Sequence, residues 1–450
     1  MRGGPIVLLG LAAPALANAL VLEKRDSPAV LTVPVIQTRG VSNSRQVSKR
    51  SSTFDVDFNS NEMSPYLYTD QWWLNFTLGT PGVNFEGYLD TLSNGIWVFE
   101  QYNIYCRNFT ICGDKYGYNS TKSDTSKVLD EVFKYDYSGI PLEGTLVTDV
   151  LSIGDTKLKS IKFAVLEERD SWNNSTENTF GIGLGNASTS SLPQALVDAG
   201  AINSAAVSLW NGTALFGGVN KAKYEGDLHT FDIVQGNSSL KSLRINMDGI
   251  SINGSSIASD EFPVATNFDI SSTWSYVPKS VAQALNAKIG ATNAPDMYGM
   301  VNFSCNAVPN DTTIAFTFGD LDLEFDLSLF ISRGDLFSVK PWIDLDTEGI
   351  YNDLCFLQIV ENTGFEGGGG ILGSNIITQI YSVFDLDNEQ VSLAKRNEND
   401  DAADDIVEIS SGKDGVPGAK KDSDSAGTRV GGNMSMTAFV AATAMLIIAF

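Results

Sequence analysis

The hydrophobic positions between residues 66 and 395 recur with a period of two or form short apolar runs, and both patterns are typical of β-strands. Glycine, asparagine and aspartate separate these runs, as turns require. The predicted strands cover residues 72–78, 144–153, 161–166, 206–210, 243–252, 314–318, 356–360 and 381–386. We therefore predict an all-β body.

Two stretches carry the marks of short helices. Residues 191–199 have Pro193 in the first turn, and residues 279–289 directly follow Pro278. The glycine-rich stretch 367–370 precedes a predicted strand rather than a helix, so it does not fit a phosphate-binding loop.

A weak internal repeat places one aspartate in each half of this body. Asp90 and Asp269 both lie in short polar turns between apolar runs, and an apolar-apolar-glycine element follows each, at 179–183 and at 370–373. A duplicated lobe with one carboxylate per copy is the simplest explanation. Two carboxylates brought together at a lobe interface cannot both ionise, so they share one proton and can act as acid and base.

Charge and histidine content exclude several classes of function. The formal net charge is -24 with a pI near 4.3, which argues against nucleic acid as a partner because phosphate binding needs a basic surface. His229 is the only histidine, so a multi-histidine metal site is impossible, and we expect His229 to be structural or on the surface. Carboxylate chemistry remains for an enzyme, without a metal or other cofactor.

Four cysteines form a close pair and a distant pair, Cys106 with Cys112 and Cys305 with Cys355. An even number in a secreted chain predicts two disulfides. Zinc binding is the alternative, but the spacing does not suit it.

The start of the chain is predicted to be removed. Residues 1–17 resemble a secretory signal peptide, and residues 18–50 form a basic pro-segment with dibasic pairs at 24–25 and 49–50. The mature chain is expected to begin near Ser51. The pro-segment either docks electrostatically over an acidic cleft or is a plain targeting leader.

The far end is predicted to carry an anchor signal. Residues 397–433 are rich in Asp, Ser, Gly and Lys and indicate a disordered stalk, and residues 434–450 form a hydrophobic tail too short to span a bilayer comfortably. This order matches a glycosylphosphatidylinositol (GPI) signal. Ser425 is the candidate attachment residue, with Gly431 or Asn433 as alternatives.

Glycosylation sequons support an extracellular location. Asn-X-Ser/Thr triplets recur through the body, including those at Asn75, Asn108, Asn174, Asn211 and Asn302. Together with the two terminal signals they predict a glycoprotein tethered at the cell surface, at the plasma membrane or in the cell wall.

The order of elements resembles the pepsin-like aspartic proteases, in particular the fungal GPI-anchored branch called yapsins. The elements that carry the resemblance are, in order, Asp90-Thr91 with Ser93, Trp97-Val98, the loop from Cys106 to Cys112, a hairpin at 137–146, Leu215 to Val219, Asp269, Tyr276 to Pro278, the span from Cys305 to Cys355, Ile371-Leu372-Gly373 and Phe384 to Asp387. The resemblance covers residues 66–395. It implies a bilobal all-β fold with few short helices, a cleft between lobes at 51–235 and 236–396, and a monomer acting on peptides or proteins.

The resemblance also implies roles for individual residues. Asp90 and Asp269 would be the catalytic pair that activates a water. Tyr137 would be the flap tyrosine that closes over substrate, with Tyr135 as the alternative. Trp97 would either pack beneath the flap and bond this tyrosine or be plain core.

Further side chains would support the pair. By the resemblance, the hydroxyls of Ser93 and Ser272 bond the outer carboxylate oxygens, and Thr91 contributes one half of a hydroxyl bond between the lobes. Acidic clusters could favour basic peptides, as in yapsins.

Three positions depart from the family pattern. Leu92 and Ser271 replace the glycines that follow each Asp-X pair, and Ile270 replaces a hydroxyl residue. Leu92 is the larger concern, because displacing a carboxylate by about 1 Å can cost roughly a hundredfold in rate. The sequence thus leaves three hypotheses: a surface-tethered acid endopeptidase, with a full or a reduced rate; a silent pepsin-like protein that binds peptides; and a structural wall glycoprotein.

Overall fold

The computed structural model describes residues 29–34, 36–37, 72–101, 117–137, 140–166, 179–184, 189–234, 242–291, 301–333, 354–363, 369–412 and 415–421 of the 450-residue chain. Within these residues the protein is built almost entirely from strands, which confirms the all-β prediction. The cysteine pair Cys106 and Cys112 and the anchor candidate Ser425 lie outside the described residues.

The strands in the N-terminal half of the described chain are β1 (Leu31–Pro34), β2 (Ile36–Gln37), β3 (Trp72–Leu78), β4 (Val83–Asp90), β5 (Ile96–Glu100), β6 (Gly117–Tyr118), β7 (Lys127–Tyr137), β8 (Ile140–Ile153), β9 (Thr156–Leu166), β10 (Thr179–Gly181), β11 (Ala206–Trp210), β12 (Thr213–Phe216), β13 (Gly218–Asn220) and β14 (Tyr224–Asp232). Those in the C-terminal half are β15 (Arg244–Met247), β16 (Gly249–Ile252), β17 (Ser255–Ser256), β18 (Val264–Asp269), β19 (Ser275–Val277), β20 (Asn302–Ser304), β21 (Thr313–Phe318), β22 (Leu321–Asp326), β23 (Ile331–Arg333), β24 (Leu354–Leu357), β25 (Ile359–Glu361), β26 (Gly370–Gly373), β27 (Ile380–Asp385), β28 (Gln390–Arg396), β29 (Ile406–Glu408) and β30 (Ala419–Lys421).

Three short α-helices lie among these strands. The two predicted helices are present as α1 (Leu192–Asp198) and α2 (Lys279–Lys288), and a further single turn forms α3 (Ser374–Ile377). The Ser191 hydroxyl caps α1 by accepting from the Gln194 N–H at 3.3 Å, which satisfies one backbone donor at the helix start. No helix of the described residues is long and apolar enough to cross a membrane.

The strands assemble into two lobes on a shared sheet. The N-terminal lobe is one nine-stranded sheet in the order β2-β3-β4-β10-β5-β9-β8-β7, with β6 beside β5. The C-terminal lobe consists of a five-stranded sheet (β15-β18-β26-β19-β25), a four-stranded sheet (β17-β16-β21-β22) and a three-stranded sheet (β20-β24-β23). A seven-stranded sheet, β1-β12-β11-β27-β28-β14-β30, draws strands from both halves of the chain.

Burial follows the period-two pattern from which the strands were predicted. In β3 the alternate residues Trp72, Leu74, Phe76 and Leu78 are buried, while Asn75 between them is exposed. In β11 every residue is buried, because the seven-stranded sheet is covered on both faces.

The predicted internal repeat is confirmed by strand pairing. In the first lobe β10 runs parallel to β4 and places Gly181 opposite Asp90. In the second lobe β26 runs parallel to β18 and places Gly373 opposite Asp269. Each aspartate therefore ends a central strand, and a glycine from the later apolar-apolar-glycine element stands beside it.

One predicted disulfide is present in the C-terminal lobe. Cys305 and Cys355 are bonded across 50 residues of sequence, and this bond joins the end of β20 to β24.

Part of the predicted pro-segment belongs to the folded body. Strand β1 pairs antiparallel with β12 from Leu31↔Phe216 to Pro34↔Thr213, and Val33 is buried in the main core. The Ala29 N–H donates to the Glu408 carboxylate. Within the predicted span 18–50, residues 31–34 and 36–37 are thus strands of the folded sheets.

The prediction of a disordered stalk from residue 397 is wrong for the part of it that the structure describes. Residues 397–412 and 415–421, here called the C-terminal belt, lie against the shared sheet: β29 pairs with β13, and β30 pairs parallel with β14. Ile409 and Val416 are buried with Trp210 and Tyr381 in a core of their own. The polar composition misled the prediction because a few apolar residues, spaced between acidic ones, suffice to hold the segment.

Candidate active site

The first aspartate turn is rigidly held by backbone hydrogen bonds. Asp90 is fully buried at the end of β4, and its Oδ1 accepts the Leu92 N–H at 2.8 Å. The Ile182 N–H donates to the Asp90 carbonyl and the Gly183 N–H to the Ser93 carbonyl, both at 2.8 Å. A Cβ at Gly183 would lie 1.9 Å from the Thr91 carbonyl oxygen, so only glycine allows this close approach.

The second turn repeats this arrangement with more donors. Asp269 is buried at the end of β18, and its Oδ1 accepts the Ser271 N–H at 2.8 Å, the Ser271 hydroxyl at 2.6 Å and the Ser272 N–H at 3.2 Å. Gly373 is the counterpart of Gly181, since each pairs with its aspartate, and a Cβ at Gly373 would lie 2.2 Å from the Trp274 carbonyl oxygen. The two halves thus present their carboxylates in equivalent turns.

The two turns meet. The Thr91 Oγ1 accepts the backbone N–H of Ile270 at 3.2 Å, in a bond that is fully buried. Thr91 and Ile270 each directly follow an aspartate, so this bond joins the two aspartate turns across the lobe interface. The half of the inter-lobe hydroxyl bond expected from Thr91 is therefore present.

Leu92 and Ser271 fit the turns in place of the family's glycines for a backbone reason. Neither residue has a positive φ, so the turn conformation does not demand glycine at either position. Both side chains are half-buried rather than enclosed. The Leu92 N–H keeps its 2.8 Å bond to Asp90, so the crowding expected from Leu92 has not broken the contact that positions the carboxylate.

Ile270 exchanges a hydroxyl for apolar contact. Its side chain is fully buried in the main hydrophobic core, where a β-branched aliphatic side chain is well accommodated. Only its backbone N–H takes part in the bond between the turns.

The hydroxyls of Ser271 and Ser272 have different partners. The Ser272 hydroxyl donates to the Trp274 carbonyl at 2.9 Å, and the hydroxyl that bonds Asp269 belongs to Ser271. The turn places the side chain two positions after the aspartate within reach of Oδ1, and the family glycine has no side chain to use this position. On the first turn the Ser93 hydroxyl accepts the Gly95 N–H at 2.8 Å; its bond to Asp90 stays a prediction.

Strands β7 and β8 form an antiparallel hairpin in the N-terminal lobe, with pairing up to Tyr137 and Ile140. Trp97 is fully buried beneath it, with ring centroids 5.9 Å from Tyr135 and 6.4 Å from Phe133. The backbone of Tyr137 pairs with Ile140 next to the tip, and its side chain lies outside the described part. Among the described side chains, Tyr135, the alternative flap tyrosine, thus packs on Trp97 together with Phe133.

Burial dominates the electrostatics of the second aspartate. Removal from water raises the pKa of Asp269 above its ordinary value of 3.8, and the bonds from Ser271 and Ser272 partly oppose this rise because they stabilise the charged form. A carboxyl with a raised pKa next to a second buried carboxyl can hold or release a proton at acidic pH.

Sequence reasoning missed one buried carboxylate outside the turns. Asp149 accepts the Tyr118 hydroxyl on Oδ2 at 2.6 Å, and on Oδ1 it accepts the Thr125 hydroxyl at 2.6 Å and the Val150 N–H at 2.8 Å. These bonds hold the pKa of Asp149 below its ordinary value despite burial. They attach residues 118–125 to β8. Among the described residues, no group of three His, Cys, Asp or Glu side chains could hold a metal ion.

Two β lobes that each contribute an aspartate turn, joined through Thr91 and Ile270, define the class of pepsin-like aspartic proteases. Residues 71–396 match the family model described as eukaryotic aspartyl protease, and the chain belongs to this family of aspartic-type endopeptidases.

The relatives agree with this assignment. The chain is 29% identical over 451 residues to the probable aspartic-type endopeptidase opsB of Aspergillus oryzae, covering 92% of this chain and 87% of the relative. It is 28% identical over 385 residues to the aspartic proteinase yapsin-3 of Saccharomyces cerevisiae, covering 78% and 70%. It is 26% identical over 325 residues to the secreted aspartic protease 8 of Candida albicans, covering 68% and 71%.

Proposed function

We propose that this protein hydrolyses peptide bonds with Asp90 and Asp269, outside the cell and at acidic pH. The observation that carries the proposal is the bond between Thr91 and Ile270, which joins the two aspartate turns. The backbone bonds from Leu92 and Ser271 to the two carboxylates support it, because each fixes one oxygen while leaving the carboxyl group to act on a water.

The reaction needs one ionised and one protonated carboxyl. The ionised carboxylate takes a proton from a water, whose oxygen attacks the carbonyl carbon of the peptide, while the other carboxyl donates its proton to the carbonyl oxygen. The resulting tetrahedral diol breaks its C–N bond as a carboxyl returns a proton to the amide nitrogen. Water is consumed, a new acid and a new amine are released, and the pair regains its single shared proton.

The test uses protein secreted as the full precursor, in a form that ends after Lys421 so that it is released into the medium. Cleavage of a denatured protein is followed between pH 3 and 6. We expect cleavage by the wild type, loss of cleavage to background in Asp90→Asn and in Asp269→Asn, and full retention in Asp155→Asn, which alters an exposed turn. Cleavage by Asp90→Asn at the wild-type rate would rule out the proposed pair.

A second candidate function is peptide binding without cleavage. Leu92 and Ser271 at the two family glycine positions favour it, because a glycine there leaves more room around the carboxylates. Saturable binding of a statyl peptide, which mimics the tetrahedral state, without cleavage of any substrate would establish this candidate. Neither cleavage nor binding would leave the structural wall glycoprotein as the remaining hypothesis.

We further propose that the protein is secreted, glycosylated and held at the cell surface through a GPI anchor, as a monomer. The signal-like residues 1–17, the sequons and the apolar tail at 434–450 support this. One relative is a secreted aspartic protease by name. Release of the full-length protein from cells by a phosphatidylinositol-specific phospholipase, and its loss into the medium when residues 434–450 are removed, would be the expected results.

The acidic composition suggests the substrates. With a net charge of -24, the protein attracts cationic segments and repels acidic ones, so we propose peptides and proteins with basic residues near the cleaved bond, and no nucleic acid. A peptide series that differs only in lysine content tests this, and equal rates across the series would contradict it.

A further inference from the structure

The two aspartate turns differ in the side chain two positions after the aspartate, where only the second turn has a hydroxyl. In both turns the backbone N–H two positions after the aspartate donates to Oδ1 at 2.8 Å. In the second turn the residue at this position is Ser271, and its hydroxyl adds a bond of 2.6 Å to the same oxygen. Leu92, its counterpart in the first turn, has no donor in its side chain.

We propose that Ser271 is a positioning residue, whose hydroxyl holds the charged form of Asp269 in one orientation and so sets the lower pH limit of the site's activity. The proposal deepens the proposed function and rests on it only for the effect on rate. The geometry is that of a strong bond, since O–H···O⁻ distances of about 2.5–2.7 Å mark charge-assisted hydrogen bonds. With the N–H groups of Ser271 and Ser272, three donors converge on one carboxylate oxygen.

The surroundings leave few other groups that could set this limit. Among the described residues, Tyr276 on β19 interacts electrostatically with Asp269, and Asp90 lies on the first turn, which the bond between Thr91 and Ile270 joins to the second. Tyr276 stays neutral at acidic pH, because burial and the charge of Asp269 raise its pKa above 10. Asp90 is therefore the one neighbour whose titration has to be separated from that of Asp269.

The hydroxyl offsets part of the cost of burying this carboxylate. Burial favours the neutral form of Asp269, whereas each donor favours the ionised form. Removing one charge-assisted donor should raise the pH at which Asp269 ionises by about one unit. The acidic limb of the rate profile would move upward by the same amount, because below this pH the pair carries two protons.

The first experiment measures kcat/KM against pH for the wild type and for Ser271→Ala, Ser271→Gly and Ser272→Ala. We expect the acidic limb to rise by about one pH unit in both Ser271 variants. The matched control is Ser272→Ala, which removes a hydroxyl that bonds the Trp274 carbonyl and not Asp269. This variant can change the rate, but the acidic limb of its kcat/KM profile should stay at the wild-type pH. Ser271→Gly restores the family residue, so it guards against a folding defect that is peculiar to alanine.

The second experiment does not depend on catalysis. Urea unfolding is followed from pH 3 to 7 for Asp90→Asn and for Asp90→Asn combined with Ser271→Ala, so that Asp269 is the carboxyl of the pair that titrates. Because the hydroxyl stabilises only the ionised form, the stability difference between the two proteins should widen as the pH rises through the ionisation of Asp269. A constant difference would overturn the proposal. A widening difference in a protein that cleaves nothing would support the proposal while refuting the proposed function.

Discussion

The backbone N–H of Ile270 donates to the hydroxyl oxygen of Thr91 across 179 residues of sequence, at 3.2 Å and out of contact with water. Replacing Thr91 with valine keeps the shape and removes the acceptor, which leaves a buried N–H unsatisfied at a cost of about 1–3 kcal/mol. We expect this loss in urea unfolding and a fall in kcat/KM of roughly ten- to a hundredfold, because the relative position of the turns is no longer fixed. Thr91→Ser keeps the hydroxyl and should lie close to the wild type. Equal stability and rate in Thr91→Val would show that the bond does not align the turns.

Substitutions at the two tyrosines of the β7–β8 hairpin should have different effects, on stability at Tyr135 and on catalysis at Tyr137. Tyr135 is buried against Trp97, so Tyr135→Ala is expected to lower the free energy of unfolding by about 3–5 kcal/mol, as for other buried aromatic residues. Tyr137, next to the hairpin tip, is predicted to act on bound substrate. Tyr137→Ala should therefore reduce kcat/KM and lower the free energy of unfolding less than Tyr135→Ala does. If Tyr137→Ala leaves cleavage unchanged while Tyr135→Phe reduces it without loss of stability, Tyr135 is the flap tyrosine.

The bond from Tyr118 to Asp149 should be worth more than an ordinary hydrogen bond, because its acceptor is a buried charge. Tyr118→Phe removes the donor, and we expect a loss of about 1.5–3 kcal/mol near pH 6. The pKa of Asp149 is lowered in the folded protein, so its stabilising contribution is present above its ordinary value and is lost as the pH falls through the folded value. The difference between Tyr118→Phe and the wild type should therefore shrink toward pH 2. A difference that is independent of pH would mean that ring packing, not the bond to the carboxylate, causes the loss.

Asp385 should make the protein less stable as the pH rises from acid to neutral. Burial, with a smaller contribution from the charge of Asp387, raises its pKa above 3.8, so the stability that it contributes is complete at low pH and is lost as the pH rises through the folded value. Asp269 acts in the same direction. Asp385→Asn removes one ionisation, and we expect the free energy of unfolding to fall less steeply above about pH 4. The measurement is urea unfolding at half-unit intervals from pH 3 to 7, with the exposed Asp155→Asn as control; a slope equal to that of the wild type would contradict the prediction.

A chain that ends at Arg396, where the family match ends, should be poorly stable. It would lack Ile409 and Val416 and expose the core that they share with Trp210 and Tyr381. A chain that ends at Lys421 keeps the belt and serves as control. Within the full chain, Ile409→Ala should cost about 2–5 kcal/mol because Ile409 is fully buried. Ile406→Ala should cost less stability, because Ile406 is only half-buried. If the chains that end at Arg396 and at Lys421 have equal yields and melting temperatures, the belt is dispensable.

Much of the fold was predictable because a strand with one buried face alternates apolar and polar residues along the sequence. Trp72, Leu74, Phe76 and Leu78 alternate with more polar residues, and they are buried as this alternation predicts. The aspartate turns and their glycine elements were predictable for a similar reason, since close backbone contacts restrict the sequence at Gly183 and Gly373.

The remaining features depend on tertiary contacts that leave no local pattern. The local sequence after Asn397 does not show whether the segment is a disordered stalk or packs against the sheet, because the partners of Ile409 and Val416 lie in strands far away in the sequence. The bond from the Ser271 hydroxyl to Asp269 depends on which hydroxyl the turn directs at Oδ1. The available signal was the hydroxyl residue Ser271 two positions after the turn aspartate.

The C-terminal belt determines how far an anchored molecule can reach. Lys421 is fixed by its strand pairing with Thr230 and by an ion pair with Asp232, at 2.9 Å. With the anchor at Ser425, as the sequence suggests, the intervening chain spans at most roughly 14 Å when fully extended. The short connection would then hold the folded enzyme next to the membrane, with the shared sheet close to the lipid. Its accessible substrates would be those that pass within about one molecular diameter of the membrane, whatever the preference of the cleft.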